Sequence, residues 1–186
     1  MTREQALALL QEFVSSDSLG KHALAVEAVM RYYARQRGQD EDLWGLVGLL
    51  HDFDYEKYPE PPQHTNAGAE ILRQRGVDET IIGAILSHAT WNQDRYPLDT
   101  DLRKTLYASD ELTGFVVACA LVRPTRLQGM TPSSVTKKMK TPAFAAAVSR
   151  DDIRRGAEML GIDLNRHIEN VIKALEPVAG DLGLAP

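Results

Sequence analysis

WGLVGLLHDFDYEKYP, residues Trp44 to Pro59, is an apolar helical run that ends in a histidine–aspartate pair and gives way to a polar, aromatic loop. A neutral imidazole and a carboxylate on adjacent residues at a helix end can grip a metal ion. One such pair is common. Its weight comes from four further residues, His22, His64, His88 and Asp110, that the helical pattern directs towards it.

Outward from this stretch the chain reads as helices, with no run of alternating β-branched residues. Upstream, Thr2 can cap a first helix to about Val14. Asp17 or Ser18 can cap a second running towards Arg37, stopped by Gly38, and Asp40 opens the third. Downstream, Pro59, Pro61 and Pro62 forbid helix in the loop 53–63. A fourth helix is expected from about His64 to Arg75, closed by Gly76. Asp78 caps a fifth to about Ala89, and Thr100 or Asp101 caps a long sixth to about Val122. Ser133 or Ser134 can start a short helix, and another follows Pro142. Ser149 caps one closed by Gly161, and Asp163 starts the last, to about Val178.

The chain has 186 residues, of which 44% are hydrophobic, enough for one domain with a real core. A formal charge of −5 gives no electrostatic case for nucleic acid or an anionic membrane. The N-terminus lacks the apolar segment of a signal peptide. The longest apolar run, Phe115 to Val122, is too short to span a bilayer. The single cysteine, Cys119, lies in that run as a buried thiol. These features point to a cytoplasmic protein.

Each helix carries an apolar stripe at three- and four-residue steps. The stripes include His22 with Val26, Val29 and Tyr33; His51 with Trp44 and Val47; His64 with Gly68 and Ile71; His88 with Ile81 and Ile85; and Asp110 with Leu102, Leu106, Thr113 and Val117. An ionised carboxylate in apolar surroundings is costly unless paired or bound to metal. Asp110 has no cation on its own stripe. A shared metal site would satisfy all of these groups together. Six side chains exceed what one tetrahedral ion takes, and no thiolates suggest structural zinc. One carboxylate bridging two ions would leave water positions open on each. The fifth histidine, His167, has no carboxylate partner and reads as structural.

The ordered set His22, His51-Asp52, His64, His88, Asp110 resembles the HD-domain superfamily of metal-dependent phosphohydrolases, over about residues 18–122. It is closest to members with the pattern H…HD…H…H…D. The resemblance implies an all-α helical bundle, here with additional C-terminal helices (about 123–186) and no significant sheet. It also implies that His22, His51, Asp52 and Asp110 hold one metal, and that Asp52 bridges to a second held by His64 and His88. A bridging hydroxide would be the nucleophile. The ions expected are two divalent or mixed-valence metals, iron or manganese first, with zinc, cobalt, nickel or magnesium as alternatives. Phe53 and Asp54 stand where an HDIG variant has Ile and Gly. The GYP signature of the cyclic-dinucleotide phosphodiesterases is absent.

Two further readings come from the residues themselves. Asp54, Glu56 and Lys57 follow the metal dipeptide and could carry a proton to a leaving group. Tyr55 and Tyr58 could line the mouth of the site. Arg123, Arg126, Lys137, Lys138 and Lys140 form the most basic stretch, right after the helix of Asp110, and could meet a substrate phosphate. The expected function is hydrolysis of a small-molecule phosphate ester, with a nucleotide as one case. A di-iron oxygenase on the same ligands and a non-catalytic binding module are the alternatives. Neither a membrane nor a nucleic-acid partner is expected, and the oligomeric state is not readable.

Overall fold

The capping chemistry of the sequence sets out nine α-helices and no strand. The computed structural model describes all residues, 1–186. They are α1 (Arg3–Phe13), α2 (Asp17–Arg37), α3 (Glu41–Leu50), α4 (Gln63–Gln74), α5 (Glu79–His88), α6 (Asp101–Leu121), α7 (Pro132–Met139), α8 (Arg150–Leu160) and α9 (Leu164–Leu175). Thr2, Asp40, Asp78, Thr100, Ser149 and Asp163 cap their helices as expected, each accepting an amide hydrogen in the first turn. Gly38 and Gly161 end α2 and α8 in the left-handed conformation that glycine tolerates. No helix is long and apolar enough to cross a membrane.

Some boundaries differ from expectation. Ser16, not Asp17 or Ser18, caps α2, because its hydroxyl accepts the Leu19 amide. Thr131 caps α7 in a reciprocal box with Ser134. Pro132, whose fixed φ suits the first helical position, precedes the two serines expected to start it. No helix follows Pro142. There the carbonyls of Thr141, Phe144, Ala145 and Val148 turn onto the Arg150 guanidinium rather than onto amides four residues on.

The core is organised around α2 and α6, the two longest helices. α2 packs against α3 and α6, α5 joins α3 to α6, α8 packs against α6, and α9 packs against both α2 and α6. Two glycines permit close approaches to the backbone of another helix. A Cβ at Gly48 would lie 2.8 Å from the Val26 carbonyl oxygen, and one at Gly156 would lie 2.6 Å from Cα of Ala108. Both crossings sit beside site residues: Gly48 precedes His51, and Ala108 precedes Asp110. Buried Glu27 ties α1 to α2, its carboxylate accepting from Arg3 (2.6 Å) and Arg31 (2.9 Å).

Candidate metal centre

The end of each inward stripe delivers one side chain to a common point. His51 is the cap residue after α3, and Asp52 begins the turn that follows. His88 is the last residue of α5, Asp110 lies midway along α6, and His22 lies on α2. His64 was expected to begin a regular helix, and here the structure differs. His64 is extended (φ −53°, ψ 138°) and Thr65 has φ 65°. A positive φ is a strained state for a β-branched residue. The Asn92 amide holds Thr65 in place by donating to its hydroxyl at 3.0 Å. The kink turns the His64 ring between Asp52 and Asp54.

Two groups result, each with ligand atoms within 4.8 Å of one another: His22, His51, Asp52 and Asp110; and Asp52, His64 and His88. Asp52 belongs to both, one oxygen to each. Its Oδ2 lies 3.5 Å from His51 Nε2, and its Oδ1 lies 3.3 Å and 3.2 Å from Nε2 of His64 and His88. Asp110 Oδ1 is 3.0 Å from His22 Nε2 and 3.4 Å from His51 Nε2.

The other ring nitrogens show what the inner ones are for. Nδ1 of His51 donates to the Gly48 carbonyl at 2.8 Å, Nδ1 of His88 to the Ile85 carbonyl at 2.6 Å, and Nδ1 of His64 to Asp54 Oδ1 at 3.0 Å. A donating Nδ1 leaves the Nε2 lone pair of the neutral ring facing inward, and such outer partners set the tautomer of metal-binding histidines. Asp52 Oδ1 is buried and accepts no well-aligned hydrogen bond, although two ring nitrogens are close to it. Lone pairs and carboxylate oxygens converging on two points fit a pair of divalent ions of the kind that imidazole and carboxylate bind.

The electrostatics agree. Burial works against the charge on Asp52, but His51 and the contacts from His64 and His88 hold its carboxyl well below the usual range. Asp110 is likewise held low, by His51 and His22 against burial. Burial opposes a proton on His64, yet Asp52 and Asp54 outweigh it and push the imidazole up to about 9. His51 and His88 also shift up, against burial, through Asp52 and Asp110. A divalent ion between these carboxylates and ring nitrogens would compete with protons for the same lone pairs.

Above the centre opens a cavity of about 530 Å³. Tyr55 and Trp91, each 40% exposed, stand on its rim against His64, with ring centroids 5.1 Å and 5.9 Å away. Tyr107, Glu111 and Asp152 also line it. The Tyr107 hydroxyl donates to Asp152, and burial with that acceptor raises it to about 12. Glu111 accepts the Ser149 amide at 3.1 Å; burial, then the Asp110 charge, push it up to about 7. No lysine or arginine lines this cavity.

Several expected site residues lie elsewhere. Asp54 is buried, with one oxygen on His64 and the other accepting the Gly68 amide at 2.9 Å, so it orients a ring and does not face the cavity. Lys57 donates to the Glu12 carbonyl at 3.1 Å and lies over the Phe13 ring. Glu56 accepts from Ser15 and Ser16 ahead of α2. These contacts correct the proton-carrier reading of the loop. Arg123, Lys137 and Lys138 line a different cavity, and the Arg126 guanidinium donates to the Leu121 carbonyl. None of these four meets the metal centre. His167 is structural as expected: the Tyr33 hydroxyl donates to its Nδ1 (2.6 Å), and its Nε2 donates to the Ala108 carbonyl (2.9 Å).

The HD-domain family model matches residues 19–114, just over half of the chain and every residue of the two groups. The chain belongs to the HD-domain family. Among solved structures, the HD domain of the L. monocytogenes phosphodiesterase PgpH is similar, with a TM-score of 0.55 and 15% identity over 96% of this chain and 98% of that one. That likeness is one of fold. In this HD domain the cavity wall was legible only in part: Tyr55, expected at the mouth, lines it, while Tyr58 does not. Asp152, on α8, is remote in sequence from the ligand pattern, and Trp91 sits in the turn three residues after His88, where no helical period gives its direction.

Proposed function

We propose that this HD domain hydrolyses a small phosphate ester, with a nucleotide as the preferred case. The observation that carries the reading is the shared carboxylate: Asp52 presents one oxygen to each of two imidazole-bearing groups at the floor of an open cavity. The phosphodiesterase activity named for PgpH, a protein of like fold, supports phosphate ester chemistry. On this reading His22, His51, Asp52 and Asp110 hold one ion, and Asp52, His64 and His88 the other. Bound there, two ions would supply a nucleophile from water at neutral pH and offset charge on the phosphoryl oxygens.

The chain's own residues then do the following. Asp54, Gly48 and Ile85 hold the three rings in one tautomer and orientation. Tyr55 and Trp91 offer flat faces for a planar group at the rim. No cation lines the cavity, and the carboxylates of Asp152 and Glu111 disfavour a long chain of phosphates, which fits a monophosphate better than a di- or triphosphate. The test is release of inorganic phosphate from a panel of mononucleotides and simple phosphate esters by manganese- or iron-loaded protein. Turnover of a mononucleotide that vanishes in Asp52→Ala is expected. Oxygen consumption by the iron-loaded protein without phosphate release would move the assignment to an oxygenase on the same ligands.

A further inference from the structure

The basic stretch that the metal centre does not use builds a cavity of its own. It measures about 380 Å³ and is lined by Cys119, Arg123, Met130, Ser134, Lys137, Lys138 and Thr141. It shares no lining residue with the cavity over the metal centre. Arg123 follows the end of α6, roughly 20 Å along the helix direction from Asp110.

Three cations meet here with no carboxylate among the lining residues, and none of them forms an ion pair within 4.0 Å. Elsewhere most of the chain's arginines are paired, so this cluster stands apart. Arg123 is fixed from behind: one amino nitrogen donates to the Gln128 carbonyl at 3.1 Å and to the Thr125 hydroxyl at 3.3 Å. The other, Nη1, is buried and meets no acceptor at all. A buried guanidinium nitrogen without an acceptor is costly, and a charged acceptor would relieve it. Lys138 lies over the Phe144 ring, 4.8 Å from its centroid, and Thr141 adds a hydroxyl that can donate, whereas the Ser134 hydroxyl already donates to the Thr131 carbonyl at 2.7 Å. A tetrahedral oxyanion matches such a set, since it offers several acceptor oxygens to converging donors. A phosphate monoester brings about two negative charges near neutral pH, which offsets most of the cluster.

We propose that the cleft between the end of α6 and α7 is a second binding site, for the phosphate group of a small soluble molecule, separate from the metal centre. A phosphate can also arrive on a lipid headgroup; the concave shape of the cleft favours the soluble form. The site stands whether or not the metal centre hydrolyses phosphate esters.

The test is calorimetric titration of inorganic phosphate and of ADP into the metal-loaded full chain, the Asp52→Asn chain and the Lys137→Ala/Lys138→Ala chain. Both lysines are exposed, so the double variant keeps the fold. The expected result is a binding event that persists in Asp52→Asn, weakens at least about tenfold in the double variant, and weakens with added salt. Arg123→Lys should retain part of it and Arg123→Ala should not. Metal content should be unchanged in the lysine variant. Binding that survives the double variant intact but disappears with Asp52→Asn would assign all phosphate affinity to the metal centre and overturn the proposal. Co-sedimentation with phosphatidic acid vesicles, with no affinity for phosphate or ADP, would overturn the soluble ligand in favour of a headgroup.

Discussion

At the scale of single residues the centre depends on atoms that never touch an ion. Asp54 accepts from His64 Nδ1 and from the Gly68 amide, and so holds the His64 ring against Asp52. Asp54→Asn keeps the size and can still accept from Gly68, but it removes the charge that orients the imidazole. Metal affinity is expected to fall by about 10- to 100-fold with the fold intact, read by metal titration and circular dichroism. Unchanged affinity would mean that the Thr65 kink alone positions the ring. This residue also shows where reading the sequence ran out. His22, His51, His88 and Asp110 were legible because helical periodicity tells which face a side chain takes, and Asp52 came with its neighbour His51; His64 reaches the centre through a kink that no helical period describes. Asp54 lies in a turn, where no period applies, so its direction could be learned only from the fold. The basic residues misled for a related reason: Arg123 follows Asp110 closely in sequence, but the length of α6 carries it to the far end of the bundle.

At the scale of elements, helix order and most caps were readable because Ser, Thr, Asp and Gly act locally. The crossings were not, since they depend on which helices meet. Gly156 is one such case. A methyl group there would press on Cα of Ala108 at 2.6 Å, two residues before Asp110. Gly156→Ala is expected to lose about 1–3 kcal/mol in urea unfolding. Gly20→Ala, on a stretch of α2 with nothing within 4 Å, should instead gain up to about 1 kcal/mol from helix propensity. Equal effects at the two sites would remove the packing argument. The contact of α9 with α2 and α6 makes a different prediction. His167 is buried between Tyr33 and Ala108, and burial pulls its imidazole down to about 4. A histidine whose folded value is depressed favours the folded state above its unfolded value of about 6.5, and that contribution is lost as pH falls towards 4. It amounts to about 3 kcal/mol for a shift of this size. His167→Gln should therefore flatten the decline of stability between about pH 6.5 and pH 4, measured as the difference between wild-type and variant unfolding curves. Parallel curves would show that His167 does not carry the acid sensitivity.

At the scale of the whole molecule, five of the nine helices or their ends supply the six converging side chains, so the bundle and the centre specify each other. The buried carboxylates and imidazoles contribute little to a core on their own. Cations bound only by the folded chain would add stability by mass action, about 4 kcal/mol at a thousandfold excess over the dissociation constant. Stripping metal with a chelator should accordingly lower the melting temperature, and restoring it should return the original value. The most direct measurement is metal content per chain by elemental mass spectrometry, on protein prepared without chelators and compared with Asp52→Ala. The account predicts about two equivalents in the wild type and a clear loss in the variant, whose missing carboxylate would have joined both groups. A wild-type chain that holds no metal, even after incubation with manganese or iron, would contradict it.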